Sequence, residues 1–149
     1  GWGAATNYVK PFADAVTVLD ETQVVAIVTT RAGGAPIATP IWSMVVDGVP
    51  YLRSAYGADS WWYRHALSGR PVAIALGDGA LAERDRAAAL DLPREPVALA
   101  PIADDDPVQQ AISDELERKY ASSQRSSIDA MLSTEALACT LRVEAPPAQ

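Results

Sequence analysis

Short apolar runs separated by turn signals recur along the chain and predict a domain built largely from β-strands. Residues 23–31 are dense in β-branched side chains, a pattern typical of a buried strand. Residues 36–47 and 49–55 follow as two further strands, and Asp47-Gly48 between them is a strong hairpin signal. Because links this short cannot hold a parallel crossover, we expect the three strands to form an antiparallel meander.

Three more strands are predicted in the remainder of the chain. Residues 71–77 are mostly apolar, which indicates burial on both faces, residues 96–102 are bordered by prolines, and residues 136–144 alternate as a closing strand. Six strands with two or three flanking helices predict an α+β fold with a six-stranded antiparallel, barrel-like sheet. The whole chain is expected to form one domain, with residues 1–10 and 145–149 as frayed tails.

Helical patterns interrupt the strands in two places, and a third segment is ambiguous. A helix is predicted over residues 60–68, with Asp59 as its N-cap and Gly69 just past its C-terminus. A second helix is predicted over residues 104–121, which begin with acidic residues that suit the positive end of a helix dipole. The composition of residues 80–92 favours helix, although their place between strands also suits a frayed strand or an insertion. The apolar stripe of the second helix is expected to contain Val108, Ile112 and Leu116.

Composition and charge narrow the functional classes. The chain has 149 residues, 49% of them hydrophobic, and a formal net charge of −7, which argues against nucleic-acid and anionic-membrane partners. It contains no run of about 18 apolar residues and no signal-peptide layout at its start. The lone Cys139 cannot form an internal disulfide, which fits a reducing compartment. A cytoplasmic location is therefore expected.

Groups that suit a phosphate gather at the turn after the third strand. Arg53 and Ser54 end that strand, and the helix that starts at Ser60 offers unpaired backbone N–H groups. Arg64 lies four residues later on the same helical face, where a guanidinium can grip a phosphate with two hydrogen bonds. In the alternative interpretation, Asp59 caps the helix and Arg64 forms only a surface ion pair.

Aromatic residues accompany these polar groups. Trp61 and Trp62 cannot share a helical face, so one is expected in the core and the other against a ligand or partner. Pro40 interrupts the second strand and belongs at an edge or a bulge, beside Trp42. Thr39 either hydrogen-bonds a ligand or is simply a good strand former.

Several catalytic classes lack support. One Cys and one His give no zinc-ligand spacing, and the acids at 104–106 fit a capped helix start better than a cation site. His65 and the many Ser and Asp residues are the residue types of a Ser–His–Asp hydrolase. The sequence has no GxSxG motif that would position a nucleophilic serine. No GxGxxG follows a strand, and no Walker loop is present.

Residues 36–76 together resemble the flavin- and deazaflavin-binding split β-barrel family, which includes the pyridoxamine-phosphate-oxidase-like proteins. The shared order is a T-P-x-W strand, a D-G hairpin, a Y-x-R-[ST] strand, a G-x-x-S helix start and then G-R-P-V-x-I. The resemblance implies a six-stranded split-barrel homodimer with two cofactor sites at the subunit interface. The implied cofactor is FMN or a deazaflavin (coenzyme F-420), and some members bind haem breakdown products.

The resemblance also implies which residues form the cofactor site. Many members carry lysines after the serine, where this chain has Trp61 and Trp62, whose rings either stack on a ligand or block the phosphate pocket. The expected cofactor-binding residues are Thr39, Pro40, Ile41, Trp42, Arg53, Ser54, Ser60, Trp61 and Arg64.

The function expected on this basis is a flavin- or deazaflavin-dependent oxidoreductase that transfers hydride to or from a small organic substrate. His65 and Tyr63 are the candidate proton donors. The alternative is a split-barrel protein that has lost flavin binding and acts as a small-ligand-binding protein or a non-redox enzyme in the same cleft. A third option is a dimer without a small ligand, in which the Trp residues fill the interface.

Overall fold

The computed structural model describes the backbone of residues 2–147 and the side chains of residues 11–147, so predictions for residues 1, 148 and 149 lie outside the described part. Within it, four consecutive strands follow the first helix, three consecutive helices precede the last strand, and a 3-10 turn lies at Gly57–Asp59. The elements in chain order are α1 Trp2–Glu21, β1 Val25–Thr30, β2 Pro36–Ile41, β3 Met44–Val46, β4 Val49–Arg53, α2 Trp61–Ala66, β5 Val72–Ala75, α3 Ala80–Arg84, α4 Arg86–Ala89, β6 Arg94–Ile102, α5 Val108–Lys119, α6 Arg125–Met131, α7 Thr134–Ala138 and β7 Thr140–Glu144.

The described strands form one antiparallel sheet in the order β2-β1-β5-β6-β7-β4-β3. Just Trp42 and Ser43 separate β2 from β3, although these strands lie at opposite ends of that order. The sheet must therefore curl until its two edges approach, as in a half-barrel. The α+β class and the barrel-like sheet are confirmed, with seven strands in place of the predicted six.

The predicted three-stranded meander is wrong, because the segment 36–47 divides into two strands at opposite sheet edges. Pro40 lacks an N–H and is tolerated on the edge strand β2, as the sequence suggested. The N–H of Ser43 donates to the Tyr120 hydroxyl at 3.0 Å, so the chain leaves the ladder at this point. The hairpin between β3 and β4 is confirmed, with positive φ angles of 51° at Asp47 and 78° at Gly48.

The ambiguous segment 80–92 folds as two short helices, α3 and α4, that pack against the edge strand β2. The backbone at Gly79, just before α3, lies very close to β1, because a Cβ on Gly79 would be 2.1 Å from the carbonyl carbon of Val25. The Gly79 N–H donates to the carbonyl of Val24 at 2.9 Å, which ties the segment to the start of β1. Only a residue without a side chain fits this position, so the place of α3 and α4 is well defined.

The closing strand is shorter than the predicted 136–144. Ser133 caps α7 by accepting a hydrogen bond from the N–H of Ala136 at 3.2 Å, and the helix continues to Ala138. The strand β7 therefore begins at Thr140. The sequence analysis also did not anticipate α1 or α6.

Three apolar clusters pack between the sheet and its helices. One lies under α1 and α2 and includes Leu19, Ile27 and Trp62, a second lies under α5 and α6, and a third, rich in alanine, lies against α3 and α4. The predicted stripe of α5 is confirmed, with Ile112 and Leu116 fully buried and Val108 partly so. Cys139 is buried, as expected of a small apolar residue. Among the helices of residues 2–147, none combines the length and apolarity needed to cross a bilayer.

Candidate functional site

Two adjoining cavities form an open cleft between the edge strand β2 and helix α2. The first, called here the Trp42 pocket, has a volume of about 350 Å³, and the second, the His65 pocket, has about 380 Å³. Because the two pockets have four lining residues in common, we describe them as one cleft. The shared residues are Thr39, Tyr56, Ser60 and Trp62.

The Trp42 pocket combines the end of β2 with a face of α6. Its β2 wall consists of Thr39, Pro40, Ile41 and Trp42, the four residues that the resemblance places in the site. The α6 wall, which the sequence analysis missed, consists of Ser127, Ala130 and Met131. The chain meets these residues 85 or more positions after β2, so local sequence carried no signal that would pair them.

The Trp42 ring is held in place by a second aromatic ring, that of Tyr120. It stacks on Tyr120 with ring centroids 4.1 Å apart and planes 8° from parallel. The Tyr120 hydroxyl donates to the carbonyl of Gln23 at 2.6 Å and accepts from the N–H of Ser43. Burial raises the pKa of Tyr120 to about 12, so the hydroxyl keeps its proton, and with it these bonds, well into the alkaline range. The pocket therefore has a preformed aromatic side chain in its wall.

Arg53 lies at the floor of the Trp42 pocket but is 2% exposed. Its Nε donates to Thr140, its Nη1 donates to the Ser113 hydroxyl and the Met131 carbonyl, and its Nη2 donates twice to Gln109. All five guanidinium N–H groups are therefore engaged inside the protein. Burial lowers the pKa of Arg53 to about 10, and no carboxylate among the described residues pairs with it.

The turn before α2 is arranged differently from the predicted phosphate clamp. The buried Ser54 hydroxyl donates to the carbonyl of Gly57 at 2.6 Å, so it closes the turn and does not line the cleft. Arg64 pairs with Asp59 at 3.3 Å, which is the surface ion pair of the alternative interpretation. Asp59 is not the N-cap, because Ser60 occupies that position without a side-chain capping bond. Ser60 lines both pockets.

One of the two adjacent tryptophans lies in the core, as predicted, and the other is exposed, because successive residues on a helix point in different directions. Trp62 is 7% exposed and packs in the core while it lines both pockets, whereas Trp61 is 69% exposed and lines the His65 pocket. Tyr63 is buried outside both pockets, and burial, together with a hydrogen bond to Cys139, raises its pKa to about 12. Tyr63 is thus remote from any ligand in the cleft.

His65 lines the second pocket beside Trp61, with the two ring centroids 5.8 Å apart. Its Nδ1 atom is buried and has no hydrogen-bond partner among the described residues. Tyr56 and Arg86 also line this pocket, and the sequence analysis missed both. Among residues 2–147, no group of three or more His, Cys, Asp or Glu side chains is arranged to hold a metal ion.

Fold and cleft together define an α+β protein with a curled antiparallel half-barrel and an open, aromatic-lined cleft at its edge. Residues 15–143 match the model of a family described as "Uncharacterized protein conserved in bacteria (DUF2255)". The chain belongs to this family. A comparison with curated proteins gave no match.

Solved structures with the same fold are only distantly similar in sequence. The conserved hypothetical protein Rv2991 from Mycobacterium tuberculosis has 14% identity and a TM-score of 0.56, over 92% of this chain and 80% of that one. Campylobacter jejuni ChuZ has 12% identity and a TM-score of 0.56, over 97% of this chain and 52% of that one. HutZ, described as the haem storage protein from Vibrio cholerae, has 12% identity and a TM-score of 0.55, over 95% of this chain and 90% of that one.

These comparisons confirm a fold of the split-barrel kind and contradict the flavin prediction. The expected FMN or deazaflavin cofactor and the flavin-dependent oxidoreductase activity are wrong: none of the three relatives is described as a flavin protein, and HutZ is described as storing haem. The geometry supplies a physical reason. The donors of Arg53 and the hydroxyl of Ser54 are used internally, and Arg64 lies outside the cleft. The predicted phosphate clamp therefore has few free donors.

Proposed function

We propose that this protein binds a flat, largely apolar ring compound in the cleft and performs no redox chemistry on it. The observation that carries the proposal is that Trp42, which lines the Trp42 pocket, is held in place by stacking on Tyr120. Flat ligands gain from contact with a fixed aromatic ring through dispersion and aromatic pairing. A preformed wall also avoids the entropic cost of ordering side chains on binding.

The remaining lining supports the same class of ligand. Ile41, Ala55, Ala130 and Met131 are apolar, and the polar groups of the Trp42 pocket are a few hydroxyls that can orient a ligand and Arg53, whose donors are used internally. Each cavity is of the size usual for small-molecule sites, and a ligand that enters both pockets would meet Trp62 between them.

A tetrapyrrole of the haem type is the ligand class we propose. Support comes from the fold that this chain shares with the haem storage protein HutZ and from the flat, mostly apolar shape of the cleft. His65 is the only histidine of the chain and lines the cleft, so it is the side chain suited to an iron atom. Iron is not required for the proposal, because the aromatic and apolar walls would act on the ring itself.

The proposal is tested by titrating the purified protein with haem and with metal-free protoporphyrin IX, with FMN as a comparison. We expect saturable quenching of tryptophan emission by both porphyrins, since Trp42 and Trp62 line the cleft, and no effect of FMN at the same concentrations. A haem-specific change in the Soret band that is lost in His65→Ala would assign the iron to His65. Absence of saturable binding by either porphyrin at micromolar concentration overturns the proposal.

We also propose that the protein is a homodimer. Two large aromatic side chains stand at the mouth of the cleft, with Tyr56 82% exposed and Trp61 69% exposed. Exposed aromatic residues of this size are typical of surfaces that meet a partner. A second subunit over this mouth would shield both rings and close the cleft.

A further inference from the structure

Arg86 is a cation without an internal partner that lines the His65 pocket. It is the first residue of α4 and is exposed, and it makes no side-chain hydrogen bond or ion pair with the described residues. The neighbouring carboxylate, Asp85, caps the N-terminus of α4, because its Oδ1 accepts a hydrogen bond from the N–H of Ala88 at 3.2 Å. The guanidinium of Arg86 is therefore available to a ligand.

Fold geometry keeps Arg86 at this position. The α3–α4 segment packs on β2, which supplies Ile37 and Thr39 to the same pocket. Its start is fixed by the close approach of Gly79 to Val25. A cation carried on a short, anchored helix loses less conformational freedom on binding an anion than one on a free loop.

The other charges that face the cleft leave this cation unbalanced. Asp59 is the one acid among the described lining residues, and its carboxylate already pairs with Arg64 at 3.3 Å. Arg53 adds a second positive charge at the floor of the Trp42 pocket, without a carboxylate partner. The cleft is therefore locally positive in a protein whose net charge is −7.

We infer that Arg86 binds a carboxylate of the ligand, so that the cleft selects ring compounds that carry an acidic side group. The inference rests on the proposed function, since it requires that the apolar part of the ligand lie in the cleft. Arg is suited to the task because its planar guanidinium meets both oxygens of a carboxylate with two parallel hydrogen bonds.

The test compares protoporphyrin IX with its dimethyl ester, which has the same ring but no negative charge. Binding is followed by porphyrin fluorescence in the native protein, in Arg86→Gln and in Arg84→Gln. Arg84 is the matched control, because it is exposed on the adjoining helix α3 and does not line the cleft. Thermal unfolding of each variant establishes that it is folded, which an exposed substitution should not disturb.

We expect the native protein to prefer the free acid over the diester by about tenfold, as one charge-assisted hydrogen-bond pair would give. That preference should fall to about twofold or less in Arg86→Gln and persist in Arg84→Gln. Equal binding of acid and diester to the native protein overturns the inference and leaves the proposed function intact. An acid preference that survives in Arg86→Gln overturns the role of Arg86, and absence of binding by both compounds overturns the proposed function as well.

Discussion

The Nη2 atom of Arg53 donates to the Oε1 atom of Gln109 at 2.8 Å, and both side chains are buried. Gln109 in turn donates through its Nε2 to the carbonyls of Ala103 and Leu137. This pair therefore joins β4 to α5 and to the segment before β7. Arg53, which was predicted to hold a phosphate, instead holds together the elements around the cleft.

Arg53→Ala is predicted to lower the free energy of unfolding by roughly 2–4 kcal/mol, because several buried acceptors lose their donor at once. Urea unfolding measures this loss. Arg31→Ala is the control, since Arg31 is exposed and its side chain has no hydrogen bond in the described structure. A loss no larger than that of the control would show that the Arg53 network does not stabilise the fold.

Gly79→Ala is predicted to destabilise the protein by about 1–3 kcal/mol or more, since the new Cβ would lie 2.1 Å from a backbone carbon and the strand must shift. Gly33→Ala is the matched control, because a Cβ at Gly33 meets nothing within 4 Å. Thermal unfolding of both variants gives the comparison. Equal melting temperatures would contradict the close packing of the α3 entry against β1.

Ser127→Phe is predicted to weaken porphyrin binding about tenfold or more while leaving the fold intact, because the ring would occupy the Trp42 pocket. The adjacent Ser126 is also exposed on α6 but does not line the cleft, so Ser126→Phe controls for an added surface aromatic. Tryptophan quenching titrations give both affinities. Equal weakening by the two substitutions would place the ligand elsewhere.

Lys119 is predicted to make stability depend on pH in the alkaline range. Its Nζ donates to the carbonyls of Leu19 and Ser43 at 2.8 and 3.0 Å, and burial lowers its pKa from 10.5 to about 8. Between these values the unfolded chain binds the proton more tightly than the folded one. The contribution of Lys119 to the free energy of unfolding therefore becomes more favourable as pH rises through this window.

Lys119→Met isolates that contribution. We expect the stability of the native protein relative to the variant to increase from pH 8 towards pH 10, as measured by urea unfolding at each pH. Above about pH 10.5 Lys119 is deprotonated in both the folded and the unfolded chain, so the increase ends there. Parallel pH profiles would show that Lys119 titrates as an ordinary exposed amine.

The homodimer is tested by light scattering, which should give twice the chain mass of 15.8 kDa. Trp61→Ser should weaken the association, because the exposed indole supplies much of the apolar surface at the proposed interface. Leu67→Ser, at another exposed apolar position, is the control. A monomeric mass for the native protein would contradict the proposal that a second subunit closes the cleft.

Local sequence patterns account for much of the fold. The β-branched run at β1, the apolar run at β5 and the Asp47-Gly48 turn all reflect preferences over a few residues, and the structure has each of them. The difference in exposure between Trp61 and Trp62 follows from helical geometry alone. The flavin prediction rested instead on a family resemblance. Such a resemblance predicts the fold better than it predicts the ligand, because one fold can bind many different ligands.

The sequence by itself determined where most strands lie and where the chain turns, because short-range backbone and burial preferences suffice for these, and the family resemblance indicated that β2 residues lie near the start of α2. Tertiary structure alone decided that β2 and β3 lie at opposite edges, that α6 completes the Trp42 pocket, that Arg53 is hydrogen-bonded to Gln109 and that Arg86 lines the same pocket as His65. These relationships join residues far apart in the chain. They depend on how the curled sheet packs against its helices, which no local pattern encodes.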